Sequence, residues 1–485
     1  MKKWIIITVS IIFSVIAIYV ALTLYANQRI QSYIENEVLK VEISVEEVSS
    51  NLLSGNVSVS GITIESKENS QMDEFKLQCF SYWDYLFNNK ITVDKIELSK
   101  FYVQLPLASA SSKSSGNSSK TVEIGKIVLN DGGLSLKNND TLKMKLKNLN
   151  SDISKISFNT NDFKKNLNYE LKKINCDSLF YRMNASQNLY IPSLSLSNDI
   201  ITLDSLQMNT NDAMQKRIEN DEINKDVLTL RTTLVEISNY DFNLFSESYF
   251  KANKIKVDGT FLKVDANNNL KKSESRTTYS EQLRKMTFSL KIDTVSINNA
   301  SVSYSEPNVA YTDRGAITFE NINAKISNFT NEEGKGAIKM HTTSTFMQSS
   351  KLTTNFSMNP YAAHDEFNWE GDLERFQLQE LNSFMDPVLD IKLEGVVDQY
   401  YFNINGSESQ YKADIRLKYD NVNINLYNEN KNKKVLLSGL LNLLGDNSTN
   451  GEFVTESASM DRDPKETFFN QLWLIQRKAL MKVVK

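Results

Sequence analysis

The sequence predicts a mainly β protein, an elongated and twisted antiparallel sheet with an N-terminal transmembrane helix and a few short helices. Two observations support this. Apolar and polar residues alternate in short segments throughout the 485-residue chain, and residues 4–26 form an almost wholly apolar run. Side chains of a strand alternate between its two faces, and a helix needs about 20 apolar residues to cross a bilayer. The alternation therefore predicts strands with one apolar face, and the run predicts a membrane anchor.

The alternation is clearest in Phe288–Tyr304, FSLKIDTVSINNASVSY, where it skips one position twice. Val295 and Ile297 alternate, and after an extra residue the pattern resumes at Ala300. A β-bulge inserts one residue into a strand and so returns the alternation to the same face. The spacing therefore predicts a bulged strand, although two strands joined by a tight turn fit it nearly as well.

The same spacing occurs six more times along the chain, at residues 57–64, 96–103, 127–134, 174–181, 201–208 and 255–262. Seven occurrences favour an internally repetitive β architecture. An ordinary antiparallel sandwich produces such alternation too, so the pattern alone does not choose between these folds.

Composition excludes several classes of function. The chain carries 55 Lys and Arg against 59 Asp and Glu, a net charge of −4, without the concentrated basic face that nucleic acid requires. Cys79 and Cys176 have no paired spacing, and Cys176 occupies an apolar slot of the repeat, which favours a small core side chain. His341 and His364 are isolated, so neither a metal site nor a histidine-based catalytic centre is predicted. We therefore expect no enzyme, no cofactor and no nucleic-acid partner.

The N-terminal run is interpreted as an uncleaved membrane anchor. It is longer than the apolar core of a signal peptide, and Leu24 stands where a small-x-small cleavage site ending at Ala26 would need a small residue. Lys2 and Lys3 precede the run, so the N-terminus is expected to stay in the cytoplasm, although Arg29 weakens this bias. The residues after 26 are then exported.

The predicted organisation has five parts: an anchor at residues 1–26, an N-terminal β half at 27–265, a polar linker at 266–285, a C-terminal β half at 286–455, and a tail with an amphipathic helix at 456–485. The Ser-rich segment at 108–121 cannot bury enough apolar surface to become ordered. Because the repeat continues on both sides of it, we interpret this segment as an insertion at a strand connection.

The spacing of apolar residues predicts a helix leaving the membrane at Asn27–Leu39, and three more helices are predicted further along the chain. The aromatic segment Phe75–Asn88 predicts a short helix across an end of the sheet, with its aromatic side chains in the core. Leu373–Met385 has helical spacing and is expected to end before Pro387. Asp463 and Pro464 are a helix-start signal for a helix at about 465–483.

The strands greatly outnumber the helices, so their apolar faces need a cover. Two sheets can bury each other in a sandwich. Alternatively, one sheet curls into a trough whose apolar side is left for a ligand, because exposed apolar patches of this extent usually mark a binding site.

Several segments resemble the AsmA-like family, the bacterial superfamily of AsmA, TamB and YhdP. VEEVSSNLLSGNVSVSGITI, LFNNKITVDKIELSKFYVQL and VEIGKIVLNDGGLSL resemble its N-terminal part. FSLKIDTVSINNASVSYSE, LERFQLQELNSFMDPVLDIKLEG and ADIRLKYDNVNINLY resemble its C-terminal part, and DRDPKETFFNQLWLIQRKAL is similar to the tail of Bacteroidetes-type members.

This resemblance implies a repeating, taco-like β-groove exposed to the periplasm and a part in phospholipid transport and outer-membrane integrity, with no catalytic motif. It implies a lipid-binding groove on the apolar face of the repeat, at Val57, Val59, Ile62, Ile64, Ile96, Leu98, Phe101, Val103, Ile127, Leu129, Leu134, Leu136, Val295, Ile297, Val302 and Tyr304. The expected partners are phospholipid or another acyl-chain lipid, the inner membrane, and an outer-membrane or periplasmic protein.

A second hypothesis fits the same sequence. A periplasmic scaffold could bind nascent outer-membrane proteins by adding their strands to an open sheet edge. An enzyme ranks third, because no nucleophile, base or metal cluster stands out.

Overall fold

The structure is a computed structural model that describes residues 19–32, 42–65, 70–106, 120–138, 141–161, 166–197, 199–220, 222–223, 225–243, 248–267, 275–307, 314–426 and 447–483. It is mainly β: 23 strands are assigned to a mixed sheet, with a few short helices. The chain divides into two compact units, unit 1 at residues 1–183 and 190–201 and unit 2 at residues 184–189 and 202–485.

The described part of unit 1 begins with helical residues 19–32, here α1, and includes the helix α2 at Tyr82–Phe87. Its strands are β1 Glu42–Ser44, β2 Glu47–Asn51, β3 Asn56–Glu65, β4 Ser70–Phe80, β5 Lys90–Pro106, β6 Thr121–Asn138, β7 Thr141–Asn159, β8 Asn168–Cys176, β9 Ser178–Arg182 and β11 Ser193–Ser197. Two strands contain residues of both units, β10 Gln187–Ile191 and β12 Ile200–Thr210.

Unit 2 contains the longest continuous series of strands, β13 Val227–Asn243, β14 Tyr249–Asp265, β15 Ser289–Pro307, β16 Arg314–Thr330, β17 Ile338–Phe346, β18 Ser350–Met358, β19 Phe367–Leu373, β20 Phe376–Gln377, β21 Ile391–Gly406, β22 Gln410–Leu426 and β23 Val454–Asp461. The helices among its described residues include α3 Asp212–Glu219, α4 Tyr279–Arg284, α5 Asn382–Leu389 and α6 Phe468–Val483.

Strand direction corrects one prediction. Most neighbours pair antiparallel, but β5 pairs with β6 in parallel and β14 pairs with β15 in parallel, so the expectation of a purely antiparallel sheet is wrong. Adjacent parallel strands need a crossover connection of about a dozen residues or more. The chain between Pro106 and Thr121 is the first crossover and contains the Ser-rich segment, most of which lies outside the described residues. The second runs from Asp265 to Ser289 and contains the polar linker predicted at 266–285.

The bulge is confirmed in the segment at 288–304. β15 continues without a break from Ser289 to Pro307, and its register with β16 shifts on both sides of Ala300. Asn299, just before Ala300, has a φ of 52°, in the left-handed region. The two-strand alternative is therefore excluded for this segment.

A left-handed residue occupies the same slot in most copies of the repeat. The second residue of the two-residue spacer has a positive φ in six of the seven copies: Gly61, Lys100, Asp131, Ser205, Gly259 and Asn299. The copy at 174–181 differs, because its chain bends at Asp177 between β8 and β9. The sequence spacing thus encodes a left-handed residue in most copies and a break between two short strands in one. A register shift accompanies the left-handed residue in the copies at 127–134 and 288–304.

Two helix predictions need correction. The strand β4 continues to Phe80, so only Tyr82–Phe87 of the aromatic segment is helical. Leu373 belongs to β19, and α5 begins at Asn382 after a 3₁₀ turn at Leu378–Leu381 and passes through Pro387. The C-terminal helix begins at Phe468, close to its predicted start.

The structure describes only the last part of the predicted anchor. α1 overlaps it at residues 19–26, and residues 1–18 lie outside the described residues. Among the helices that are described, none is both long enough and apolar enough to cross a membrane.

The bulge at Asn299 gives a test of this reading of the repeat. Asn299→Val should lower the free energy of unfolding by about 1–2 kcal/mol, because a β-branched residue is strained in the left-handed region. Asn299→Gly should leave stability nearly unchanged, since glycine enters that region without strain. Urea denaturation followed by circular dichroism measures both. Equal stability of the two variants would contradict a left-handed bulge at this position.

Candidate functional site

The candidate site is the apolar face of the strands, and in unit 1 the register aligns most of the predicted groove residues in rows across that face. Residues directly opposite each other on neighbouring strands point to the same side of a sheet. One row is Val57, Leu77, Ile96, Ile127 and Ile153, and the next is Val59, Phe75, Leu98 and Leu129. Beyond the bulge the rows are Ile62, Met72 and Phe101, then Val103, Leu134, Leu146 and Leu179, then Leu105, Leu136, Met144 and Tyr181.

Most of these side chains are half-buried. Val59 and Phe101 are the buried exceptions, with 2% and 7% of their surface exposed. The other predicted groove residues of unit 1 keep part of their surface exposed, including Ile64, which lies opposite Ser70. Val59 packs with Val57, Ile62 and Phe75 and so belongs to a small core. Ile96 and Ile127 pack against a second small core, formed by Val122, Ile124 and Ile156. The face of unit 1 is therefore apolar and partly exposed.

Gly132 explains the small residue in the third slot of one copy of the repeat. The ring of Phe101 lies over Gly132, and a β-carbon at that position would overlap the ring. The glycine thus makes room for a cross-strand aromatic side chain, a common device in sheets.

In unit 2 one apolar row crosses ten strands. It consists of Ile237, Ile255, Val295, Ile326, Met340, Phe356, Trp369, Ile404, Ala413 and Ala458. The other three predicted residues of unit 2 lie in parallel rows, Ile297 with Val235, Val257 and Ala324, Val302 with Leu262 and Phe319, and Tyr304 with Val264 and Ile317. The four predicted residues therefore share one face.

α6 covers one end of this face. Leu472, Ile475 and Ala479 pack onto β21, β22 and β23. Ile404, Ala413, Ile415, Ile475 and Ala479 are fully buried, each with 0% exposure. This end of the apolar face is consequently a closed core.

α4 and α5 cover further parts. Leu283 of α4 forms a buried cluster with Ile338 and Met358. Phe384 of α5 is buried where the helix packs against β16 and β21.

An ion pair holds α4 in place. Arg284 donates from Nη1 to Oδ1 of Asp365 at 2.6 Å, and Thr278, the N-cap of α4, donates to Oδ2 of the same carboxylate. Burial alone would raise the pKa of Asp365, but these hydrogen bonds outweigh it and hold that pKa below its usual range. The helix is thereby fixed to the loop that joins β18 and β19.

Strands β13 to β15 keep their apolar rows partly exposed. None of the following belongs to a buried cluster among the described residues: Val235, Ile237, Ile255, Val257, Leu262, Val264, Val295, Ile297, Val302 and Tyr304. The Tyr304 hydroxyl donates to Oε1 of Glu306 at 2.5 Å, and burial followed by this hydrogen bond raises the pKa of the phenol well above its ordinary value. Tyr304 is therefore neutral, and its polar atom is already satisfied.

The opposite face is charged. Lys95 and Glu97 flank Ile96 on this face, with Nζ of Lys95 2.7 Å from Oε2 of Glu97. Lys256 and Asp258 flank Val257 in the same way, with Nζ of Lys256 2.6 Å from Oδ2 of Asp258. Exposed pairs of this kind contribute at most about 1 kcal/mol each, so their main effect is to mark the solvent side of the sheet.

The remaining polar candidates do not assemble into a chemical site. No group of His, Cys, Asp or Glu that could hold a metal ion occurs in the described ranges. His341 bonds Asn355 at 2.7 Å, and His364 lies 3.4 Å from Glu408, both at exposed positions. Cys176 is buried, with 2% exposure, which confirms its interpretation as a core side chain.

The same face also includes apolar residues that were not predicted. Val235 and Ile237 precede a spacer whose second residue, Asn239, is left-handed, and Ile317 and Phe319 likewise precede Asn321. The same apolar spacing was present in both segments and would have identified them.

Comparisons with known proteins do not assign the chain to a family. No protein-family model matches the sequence, and no curated protein matches it.

The cover formed by α6 gives a stability test. Ile475→Ala should lower the free energy of unfolding by roughly 2–5 kcal/mol, because it leaves a cavity in a fully buried core. Phe469→Ala is the matched control on the same helix, at a side chain that is 70% exposed, and should change stability by less than about 0.5 kcal/mol. Urea denaturation measures both. A similar effect of the two changes would contradict the packing of α6.

Proposed function

We propose that this protein binds phospholipid, or another acyl-chain lipid, along the apolar face of its strands and transfers it in support of outer-membrane biogenesis. The observation that carries the proposal is the set of half-exposed apolar rows on β13, β14 and β15, which no buried cluster of the described residues includes. Exposed apolar surface of this kind is costly in water and usually marks a binding site.

The dimensions of the face suit an acyl chain. From Val295 to Tyr304 the strand advances nine residues, which is about 30 Å at roughly 3.3 Å per residue. The hydrocarbon core of a bilayer is also about 30 Å thick and holds two acyl chains end to end, so one chain needs about half that length. Each methylene removed from water contributes about 0.8 kcal/mol, so many weak contacts suffice and no catalytic residue is required.

The membrane setting rests on the sequence. The apolar run at residues 4–26 would anchor the protein in the inner membrane with its N-terminus in the cytoplasm and its body in the periplasm. The resemblance to AsmA-like proteins supports the same setting, the β-groove and the absence of catalysis. Membership of that family is part of the proposal.

One edge of the sheet is poorly suited to the alternative function of strand addition. β23 pairs with β22, and the carbonyls of Ser459 and Ser457 accept hydrogen bonds from Lys478 at 2.8 Å and Lys482 at 2.6 Å. Lysines placed along an edge are a known device against pairing with another chain. An incoming strand at β23 would have to displace both side chains of α6.

Site-specific photocrosslinking in cells tests lipid binding. A photoreactive amino acid placed at Leu98 or at Ile297 of the full-length protein should form adducts with phospholipid, because both side chains lie on the half-exposed apolar face. Mass spectrometry of the purified protein identifies the adducts.

Glu97 and Ser296 are the matched controls, since each is adjacent in sequence to a test position and points to the opposite face. The proposal expects no lipid adducts there. Absence of adducts at Leu98 and Ile297, or equal yields on both faces, would refute lipid binding along the apolar rows.

A further inference from the structure

α2 and the turn before β3 present large apolar side chains to solvent. Leu53 is 85% exposed, Trp83 68%, Leu86 67% and Phe87 66%. We call these four residues, with Tyr82 and Tyr85, the aromatic tip. The prediction that the aromatic residues of this segment lie in the core is wrong for α2, because the helix lies between the ends of β4 and β5 and buries none of its residues.

The two parts of the aromatic tip lie at the same end of unit 1. The amide of Phe80, the last residue of β4, donates to the carbonyl of Gly55 at 3.0 Å. Gly55 has a φ of 67°, and a β-carbon there would overlap the backbone of Phe80. This close approach holds the turn that carries Leu53 against the strand end that leads into α2.

α1 begins at this same end. The hydroxyl of Tyr19 donates to Oδ1 of Asn51 at 3.0 Å, and Nε2 of Gln31 donates to the carbonyl of Val45 at 3.4 Å. α1 therefore runs along β2 with its N-terminus beside the turn of Leu53. Residues 19–26 of the predicted apolar run thus lie along β2, and the part of the run before Tyr19, which would enter the membrane, joins unit 1 at the end that carries the aromatic tip.

The chemistry of the aromatic tip fits the surface of a bilayer. Trp and Tyr are enriched where membranes meet water, and Leu and Phe enter the adjoining acyl region. The ammonium of Lys120 lies 4.0 Å from the centre of the Tyr85 ring, which places a positive charge where lipid phosphates would lie.

We propose that the aromatic tip inserts into the interface of the bilayer that holds the N-terminal anchor, as a second membrane contact of unit 1. This inference rests on the anchor of the proposed function. Val57 and Leu77 lie near the same ends of β3 and β4, so the apolar row that they begin would face the leaflet, and a lipid leaving the membrane would meet it first.

Fluorescence of single-cysteine variants tests the contact. The full-length protein, with Cys79→Ser and Cys176→Ser, is reconstituted into phosphatidylethanolamine and phosphatidylglycerol liposomes and labelled with NBD at Leu53→Cys or Phe87→Cys. At both positions the emission should shift to the blue and be quenched by lipids that carry a nitroxide near the headgroup.

Asn138→Cys is the matched control, an exposed polar side chain at the far end of β6, the strand next to β5. It lies seventeen residues beyond Thr121, about 56 Å along the strand. Its label should keep the emission of an aqueous probe and resist quenching.

The outcomes separate the two proposals. Labels at Leu53 and Phe87 that behave like the control in protein that floats with the liposomes would overturn the membrane contact and leave the anchor standing. A blue shift without quenching would indicate that the label contacts protein and not the bilayer, and this result would also overturn the membrane contact. Failure of the protein to float would overturn the anchor and the inference together, whereas photocrosslinking at Leu98 tests lipid binding separately.

Discussion

The left-handed bulge is the constraint on which the architecture depends. A strand as long as β15 cannot keep one apolar face through its whole length if a residue is inserted, unless a bulge restores the alternation. Asn299 does this in β15, and Gly259 is the left-handed residue at the matching position of the neighbouring β14. The register shows why neighbours share the feature: Asp258 pairs with Asn298, and pairing resumes at Phe261 with Ser301. Because the left-handed residues Gly259 and Asn299 occupy matching positions, the apolar rows continue from β14 to β15 both before and after these residues.

The repeat made the face predictable, because a two-residue spacer between alternating apolar pairs is visible in the sequence. Strand direction was not predictable, since alternation is the same in parallel and antiparallel strands, and nothing in the two long polar segments shows that they join parallel strands. The exposure of Trp83 and Phe87 also escaped prediction. Apolar side chains favour burial, but whether α2 finds a surface to pack against depends on the positions of β4 and β5, which the sequence does not show.

The helices of unit 2 determine which parts of the apolar face are buried and which stay exposed. α6 closes one end so completely that Ile475 has no exposed surface, and α4 and α5 cover further strands. α5 also reaches β15, but none of the buried clusters in the described residues includes the rows through Val257 and Ile297, which stay partly exposed. The same helix α6 donates Lys478 and Lys482 to the carbonyls of β23. One element thus both closes the core and protects a strand from pairing, which leaves the open apolar rows as the surface available to an apolar ligand.

The most direct test of the central claim is an electron cryo-microscopy map of the full-length protein prepared in native lipids without detergent. The account predicts elongated density, attributable to acyl chains, over the rows of Val257, Ile297 and Val302 on β14 and β15. A map in which protein side chains fill that face, or in which it is dry and closed by another part of the chain, would contradict the claim.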